Sequence, residues 1–300
     1  MALNEQIAAC LGESAARYAA NKHRGGSNGN KGVRYEDFFI AFHAVDGLLQ
    51  HVLDQSAPPI HFKGQAEGFA DDVRIASAAS IAYFQLKNAQ SVQWSAAPHP
   101  IEIDFDYQAR LSAHLGETSV STTLVVPSVT LSESLRLNIP NKIRAHTKVE
   151  HFPWTETANR LVLECAELRE RLTQIVNVDD PTDDVLVGAF GMILIACLNY
   201  PGGADARELL AHCSKLYPNQ LRLANMDEAW EQHLKSDFTA ILDKIPGFSY
   251  GAKRGFFYWS ASGTSGVFGS SVLSEEFNLF QRDVVQRNPK TLDDFEEVLP

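Results

Sequence analysis

The sequence predicts an α/β (α+β) protein in two parts, a mixed sheet flanked by helices over residues 1–154 and a mainly helical domain over 155–300. Three observations lead there. Short runs with strand character fall at 60–63, 73–76, 80–88, 122–126 and 147–152, interleaved with helix-like stretches. From residue 155 onward the apolar residues recur mostly at helical spacing. The chain, at 300 residues, is long for one core and comfortable for two.

Taken in order, residues 3–21 place Ile7, Ala8, Leu11, Ala15, Tyr18 and Ala19 on one helical face. Arg24-Gly25-Gly26-Ser27-Asn28-Gly29-Asn30-Lys31-Gly32 then reads as a flexible loop. It lacks the Gly-x-x-x-x-Gly-Lys-Ser/Thr order of a phosphate-cradling loop and no strand precedes it, so it reads as a hinge or a substrate-side loop. A second helix over 33–53 carries the apolar stripe Tyr35, Phe38, Phe39, Phe42, Val45, Leu49 and Val52. Glu36 sits about 100° round from Tyr35, at the border of that stripe. A carboxylate there can lean over a sheet edge, or be a first-turn Glu stabilised by the helix dipole; position alone favours the dipole.

Ala57-Pro58-Pro59 ends this helix. The strand at 73–76 is entered through Asp71-Asp72, and the strand at 80–88 contains Tyr83-Phe84-Gln85-Leu86-Lys87. Side chains alternate along a strand, so Tyr83, Gln85 and Lys87 share one face. Helices over 105–115 and 131–138 separate the later strands, and the domain ends near Trp154.

Beyond it, Thr155 is a plausible N-cap for an amphipathic helix reaching Val176, in which Arg160, Arg169 and Arg171 alternate with Glu164, Glu167 and Glu170 as on a solvated face. Helices at 183–199, 205–216 and 227–242 follow, then a strand at 255–260, a Gly/Ser-rich turn over 260–271, a helix at 274–286 and an acidic tail. Gly263-Thr264-Ser265-Gly266 misses the nucleophile-elbow spacing by one residue, and a hairpin turn explains it better. This half offers no catalytic constellation and reads as a module for partners or self-association.

Net charge is −11, distributed as 13 Lys and Arg against 15 Asp and Glu in residues 1–150, and 13 against 22 in residues 151–300. A phosphate ligand prefers a positive field, so the acidic second half is a poor binding surface for nucleic acid. Cys10, Cys165, Cys197 and Cys213 are scattered without a Cys-x-x-Cys pair, which speaks against zinc and disulfides and fits a reducing cytoplasm. No apolar run approaches the length of a membrane span, and the N-terminus shows no signal-peptide pattern.

Metal-assisted phosphodiester hydrolysis needs oxygen ligands for a hard cation and a positive group for the developing charge. Asp72 supplies a carboxylate, Gln85 an amide oxygen and Leu86 a backbone carbonyl; Glu36 can bind the cation directly or through water, and Lys87 carries the mobile positive charge. Gly32-x-x-Tyr35-Glu36 on a helix, Asp72 entering a strand and Gln85-x-Lys87 on the next resemble the PD-(D/E)xK restriction-endonuclease-like nucleases. Within them the likeness is to the nuclease domain of bacterial anti-phage effectors, the cyclic-oligonucleotide-system endonucleases and Lamassu-type A subunits. It covers roughly residues 20–150.

The resemblance implies a cytoplasmic DNA endonuclease using Mg²⁺ or Mn²⁺, with Glu36, Asp72, Gln85 and Lys87 as its site. It also implies restraint by other defence-system subunits or by homo-oligomerisation. Gln85 stands where most nucleases of this fold carry Glu or Asp, and Asp71 could exchange roles with Asp72. The competing expectation is a non-catalytic scaffold or DNA-binding subunit.

Overall fold

In the computed structural model, residues 3–26, 30–96, 98–223, 230–253 and 255–300 are described. The fold is mixed α/β, with a six-stranded mixed sheet and a separate three-stranded one. Two compact units share the chain: Met1–Gly47, Pro58–Leu172 and Asp183–Leu209 form the first, and Leu48–Ala57, Thr173–Thr182 and Leu210–Pro300 the second. The units therefore do not part at 154/155, because the helices between 158 and 172 and the helix from 183 pack with the large sheet's unit.

The first unit opens with α1 (Leu3–Leu11) and α2 (Glu13–Gly26), where the sequence suggests one helix. Gly12 separates them with a φ of 91°, a conformation no continuing helix allows. Ile7, Ala15, Ala16 and Ala19 then close on Phe69 and Leu111. The glycine-rich segment is mostly helical: α2 runs through Gly26 and α3 (Asn30–Leu53) begins at Asn30, with 27–29 outside the described residues.

The strands follow as β1 (His61–Gly64), β2 (Val73–Ala76) and β3 (Ile81–Leu86), an antiparallel meander. After α4 (Ile101–His114), β4 (Val120–Val126) adds parallel to β3. After α5 (Val129–Leu137), β5 (Thr147–His151) adds parallel to β4. Both crossover helices cover one face, where Tyr83, Phe105, Leu124, Leu135 and Val149 share a core. On the other face lies α3, with the Phe39 ring 5.0 Å from Phe84 and 5.2 Å from Phe152.

Thr157, rather than Thr155, caps α6 (Ala158–Glu164), its side chain accepting from the Arg160 amide. The helix expected to continue to 176 breaks at the extended Cys165 and resumes as α7 (Ala166–Ile175). The apolar α8 (Asp183–Leu198) and the two-residue β6 (Ala204–Asp205), paired antiparallel with β1, complete this unit's elements up to α9 (Ala206–Leu216).

The second unit holds a 3-10 turn at Trp230–His233 and α10 (Ser236–Leu242), part of the helix expected over 227–242; residues 224–229 lie outside the described residues. It is not mainly helical throughout. β7 (Ser249–Lys253), β8 (Phe256–Ala261) and β9 (Thr264–Val267) form a second antiparallel meander. Ser262 and Gly263, with φ of 51° and 84°, make the two-residue turn between β8 and β9. α11 (Glu275–Arg287), capped by Ser274, and α12 (Leu292–Glu296), closed by a Thr291/Asp294 capping box, pack Phe277, Phe280 and Phe295 onto Phe257 and Trp259. None of the described helices is long and apolar enough to cross a membrane.

Candidate active site

The register of the first meander brings three polar residues into line. Gly64 pairs with Val73, and Val73 with Phe84, so the next step along the strands sets Gln65, Asp72 and Gln85 side by side where the strands end. The hydrogen bonds bear this out. The Gln65 amide N–H donates to the Asp72 carbonyl at 2.7 Å. Asp72 Oδ2 accepts from Gln85 Nε2 at 2.6 Å and from the Leu86 amide at 2.6 Å. Both Asp72 and Gln85 are buried, at 8% and 2% exposure.

Helix α3 completes the row. Gln65 Nε2 donates to Glu36 Oε2. Val33, Glu36, Asp37 and Ile40 line a cleft of about 280 Å³ together with Gly64, Gln65, Asp72 and Val73. Tyr35 points elsewhere, its hydroxyl donating to the Phe152 carbonyl at 2.6 Å. The stripe-border position of Glu36 thus becomes a wall of the cleft, and the first-turn, helix-dipole reading fails because α3 begins at Asn30 and Glu36 lies beyond its first turn.

The loop carrying the aspartates is fastened from α4. Gln108, 1% exposed, accepts from the Phe69 amide at 2.9 Å and the Ala70 amide at 3.4 Å. A Cβ at Gly68 would lie 2.4 Å from Gln108 Oε1, so only glycine lets the loop come this close. Asp71 and Asp72 follow directly, both buried.

The electrostatics are those of crowded carboxylates. Burial pushes the Glu36 carboxyl from its ordinary 4.5 up to about 8, helped by the charges of Asp72, Asp37 and Asp71 and opposed by the Gln65 hydrogen bond. Burial alone carries Asp37 from 3.8 to about 6. The Asp71 charge also bears on Tyr18, whose phenol is raised by burial and by its 2.8 Å hydrogen bond to Asp104.

Of the sequence-predicted residues, Glu36 and Asp72 line the cleft, while Gln85 and Leu86 meet Asp72 from outside its lining, Leu86 through its amide N–H and not the carbonyl expected as a ligand. Asp72 lines the cleft and its carboxylate meets Gln85. Lys87 falls one residue beyond the end of β3, where the sequence extends the strand to 88. Its backbone amide donates to the Val125 carbonyl at 2.9 Å and its side chain is half-buried. Its ammonium forms no ion pair with these carboxylates among the described residues.

Sequence reasoning missed Asp37 and Gln65. Asp37 had a signal, since 33, 36, 37 and 40 form one helical face. Gln65 had none.

Among the described residues no group of three His, Cys, Asp or Glu side chains could hold a metal ion. A hard cation fits the cleft on other grounds. Glu36, Asp37 and Asp72 place carboxylate oxygens, the donors a hard cation prefers, on the same cavity, and Gln85 is hydrogen-bonded to Asp72 from beside it. Compared with known protein families, curated proteins and solved structures, the chain matches none.

Proposed function

We propose that this chain is a Mg²⁺- or Mn²⁺-dependent nuclease that hydrolyses DNA phosphodiester bonds from the cleft between α3 and the strand ends. One observation carries the reading: the carboxylates of Glu36 and Asp72, with Asp37 beside them, line one small cleft at the strand ends, and carboxylate oxygens are the donors a hard cation takes. In this reading Glu36 and Asp72 hold the cation, with the Gln85 amide oxygen and the Leu86 carbonyl as further ligands. Gln85 donates to Asp72 through its nitrogen, and its amide would have to turn over to offer a cation its oxygen. A cation held there would supply Lewis acidity and a more acidic water. Lys87, on a long stem at the strand end, brings its charge to the phosphate as negative charge develops.

The wider setting rests on the family resemblance: a cytoplasmic effector of bacterial anti-phage or anti-plasmid defence, restrained by partner subunits or by self-assembly. The net charge of −11 supports restraint, because an isolated acidic chain binds DNA weakly.

The test is cleavage of supercoiled plasmid with Mg²⁺ or Mn²⁺ by the wild type and Lys87→Ala, alongside Mn²⁺ titration of both. Cleavage lost in the variant, with Mn²⁺ binding kept, supports the assignment. A wild type that neither cuts nor binds Mn²⁺ sinks it.

A second reading has its own observation. Asp72 Oδ2 already accepts two buried N–H groups, which is what a carboxylate does when it staples strand ends together. On that reading the chain is a nuclease-fold scaffold or DNA-binding subunit. It would keep its fold without cation and show no Mn²⁺ affinity at this cleft.

A further inference from the structure

We infer that Gln65 is the positioning residue that holds the Glu36 carboxylate beside the Asp72 strand end at the cation site, an inference that rests on the nuclease reading above. Gln65 touches both partners by different groups. Its backbone N–H holds the Asp72 main chain at 2.7 Å, and its side-chain amide holds the Glu36 carboxylate. It lines the same cleft as both.

The backbone shows why this needs an unusual residue. A Cβ at Gly64 would face Ile40 on α3 at 3.7 Å, so regular alternation would send the next side chain to the opposite face of the sheet, away from α3. Gln65 instead adopts a φ of 48°, in the left-handed region, and its amide reaches Glu36 on α3. That conformation is unfavourable for a residue with a Cβ, and glutamine is not among the residues most tolerant of it. Glycine would turn the chain here without strain. What glutamine adds at the cost of strain is the amide on Glu36, and strain retained at a cleft of converging charges has the form of a functional constraint.

The amide is also the right donor for the task. It is neutral, so it fixes the Glu36 carboxylate without competing with a cation as lysine or arginine would. Glu36 is thereby oriented from outside the ligand set, in the manner of outer-shell groups that hold metal ligands.

The experiment compares the full-length wild type with Gln65→Gly and Gln65→Asn. Gly accepts the left-handed backbone and deletes the amide; Asn tolerates that backbone and keeps a shorter amide. Mn²⁺ affinity is read by titration calorimetry and thermal stability by calorimetry without metal. The expected result is a Q65G protein that melts close to the wild type yet binds Mn²⁺ about tenfold or more weakly, the usual consequence of losing an outer-shell partner. Q65N is expected to fall between the two. If Q65G does not fold, Q65N against wild type decides by the same measure.

Equal Mn²⁺ affinity in wild type and variant overturns the role of Gln65 and leaves the nuclease reading standing. A wild type without Mn²⁺ affinity overturns both.

Discussion

Among the described residues are two antiparallel three-stranded meanders, β1–β2–β3 and β7–β8–β9, and they treat polar residues in opposite ways. In the second meander the registered row Ser249, Ser260 and Ser265 is exposed, beside an open groove of about 410 Å³, while Trp259 and Phe257 face an aromatic core. Polar and apolar residues alternate as an ordinary one-sided sheet requires. In the first meander the corresponding line is Gln65, Asp72 and Gln85; Asp72 and Gln85 are buried and Gln65 is half-buried with a left-handed backbone. Burying polar groups is costly unless every one is matched, so the two meanders differ in what their polar rows demand of the surrounding structure. The solvated row asks for nothing. The buried row recruits α3 through Glu36 and a glutamine from α4 to hold its loop.

The largest effect that sharpens this contrast is expected from Asp72→Ala. The substitution leaves the Gln85 amide and the Leu86 N–H buried without their shared acceptor, at a loss of about 3 kcal/mol. Amide hydrogen exchange followed peptide by peptide should show lost protection in β3 and unchanged protection in β8. Equal loss in both meanders, or none in β3, would break the contrast.

Next in size is Gly266→Ala on the core side of the second meander. A Cβ there would stand 2.7 Å from three atoms of the Trp259 indole, itself buried. Overpacking of this kind costs about 2 kcal/mol and should reduce protection in β8 and β9 alone. The two substitutions together separate a meander that fails by losing polar partners from one that fails by steric crowding.

Particular residues show how much of this was written in the sequence. The bounds of β2 and the extent of α8 follow from apolar runs bounded by turn residues, and both stand as expected. Glu36 and Asp72 stood out through the resemblance of their motifs, since position alone gave Glu36 to the helix dipole and left Asp71 open beside Asp72. Gln65 did not, because its role depends on a φ of 48°, and a left-handed glutamine has no signature in a sequence. β7 was missed because Ser-Tyr-Gly-Ala-Lys lacks the branched residues of a strand, and its pairing with β8 supplies what its own propensity does not. The breaks at Gly12 and Cys165 interrupt helices whose apolar spacing continues through them, so periodicity alone overran both.

A smaller effect is a slope. The Glu36 carboxyl is raised in the folded protein from 4.5 to about 8, and Asp37 from 3.8 to about 6. Between those values the folded state holds protons that the unfolded state has released, so stability falls as pH rises from about 4 to about 8. Glu36→Gln should flatten the upper part of that fall, above pH 6, in urea titrations at stepped pH. Under the nuclease reading, Mn²⁺ should restore wild-type stability at pH 8 and do little for the variant. A fall that Glu36→Gln leaves unchanged would place its origin outside the cleft.

The smallest effect is the most exacting test of the contrast. Ser260 Oγ lies 2.7 Å from Ser249 Oγ, and the Ser249 hydroxyl also reaches the Ser260 carbonyl at 3.3 Å, so the serine row has hydrogen bonds of its own. Both residues are exposed, and water replaces whatever Ser260→Ala removes. The change should therefore be within about 0.5 kcal/mol in urea denaturation, against the far larger loss at Asp72. A cost above 1 kcal/mol would mean that the serine row is held as the buried row is, and that exposure had concealed a second site of converging polar groups on this sheet.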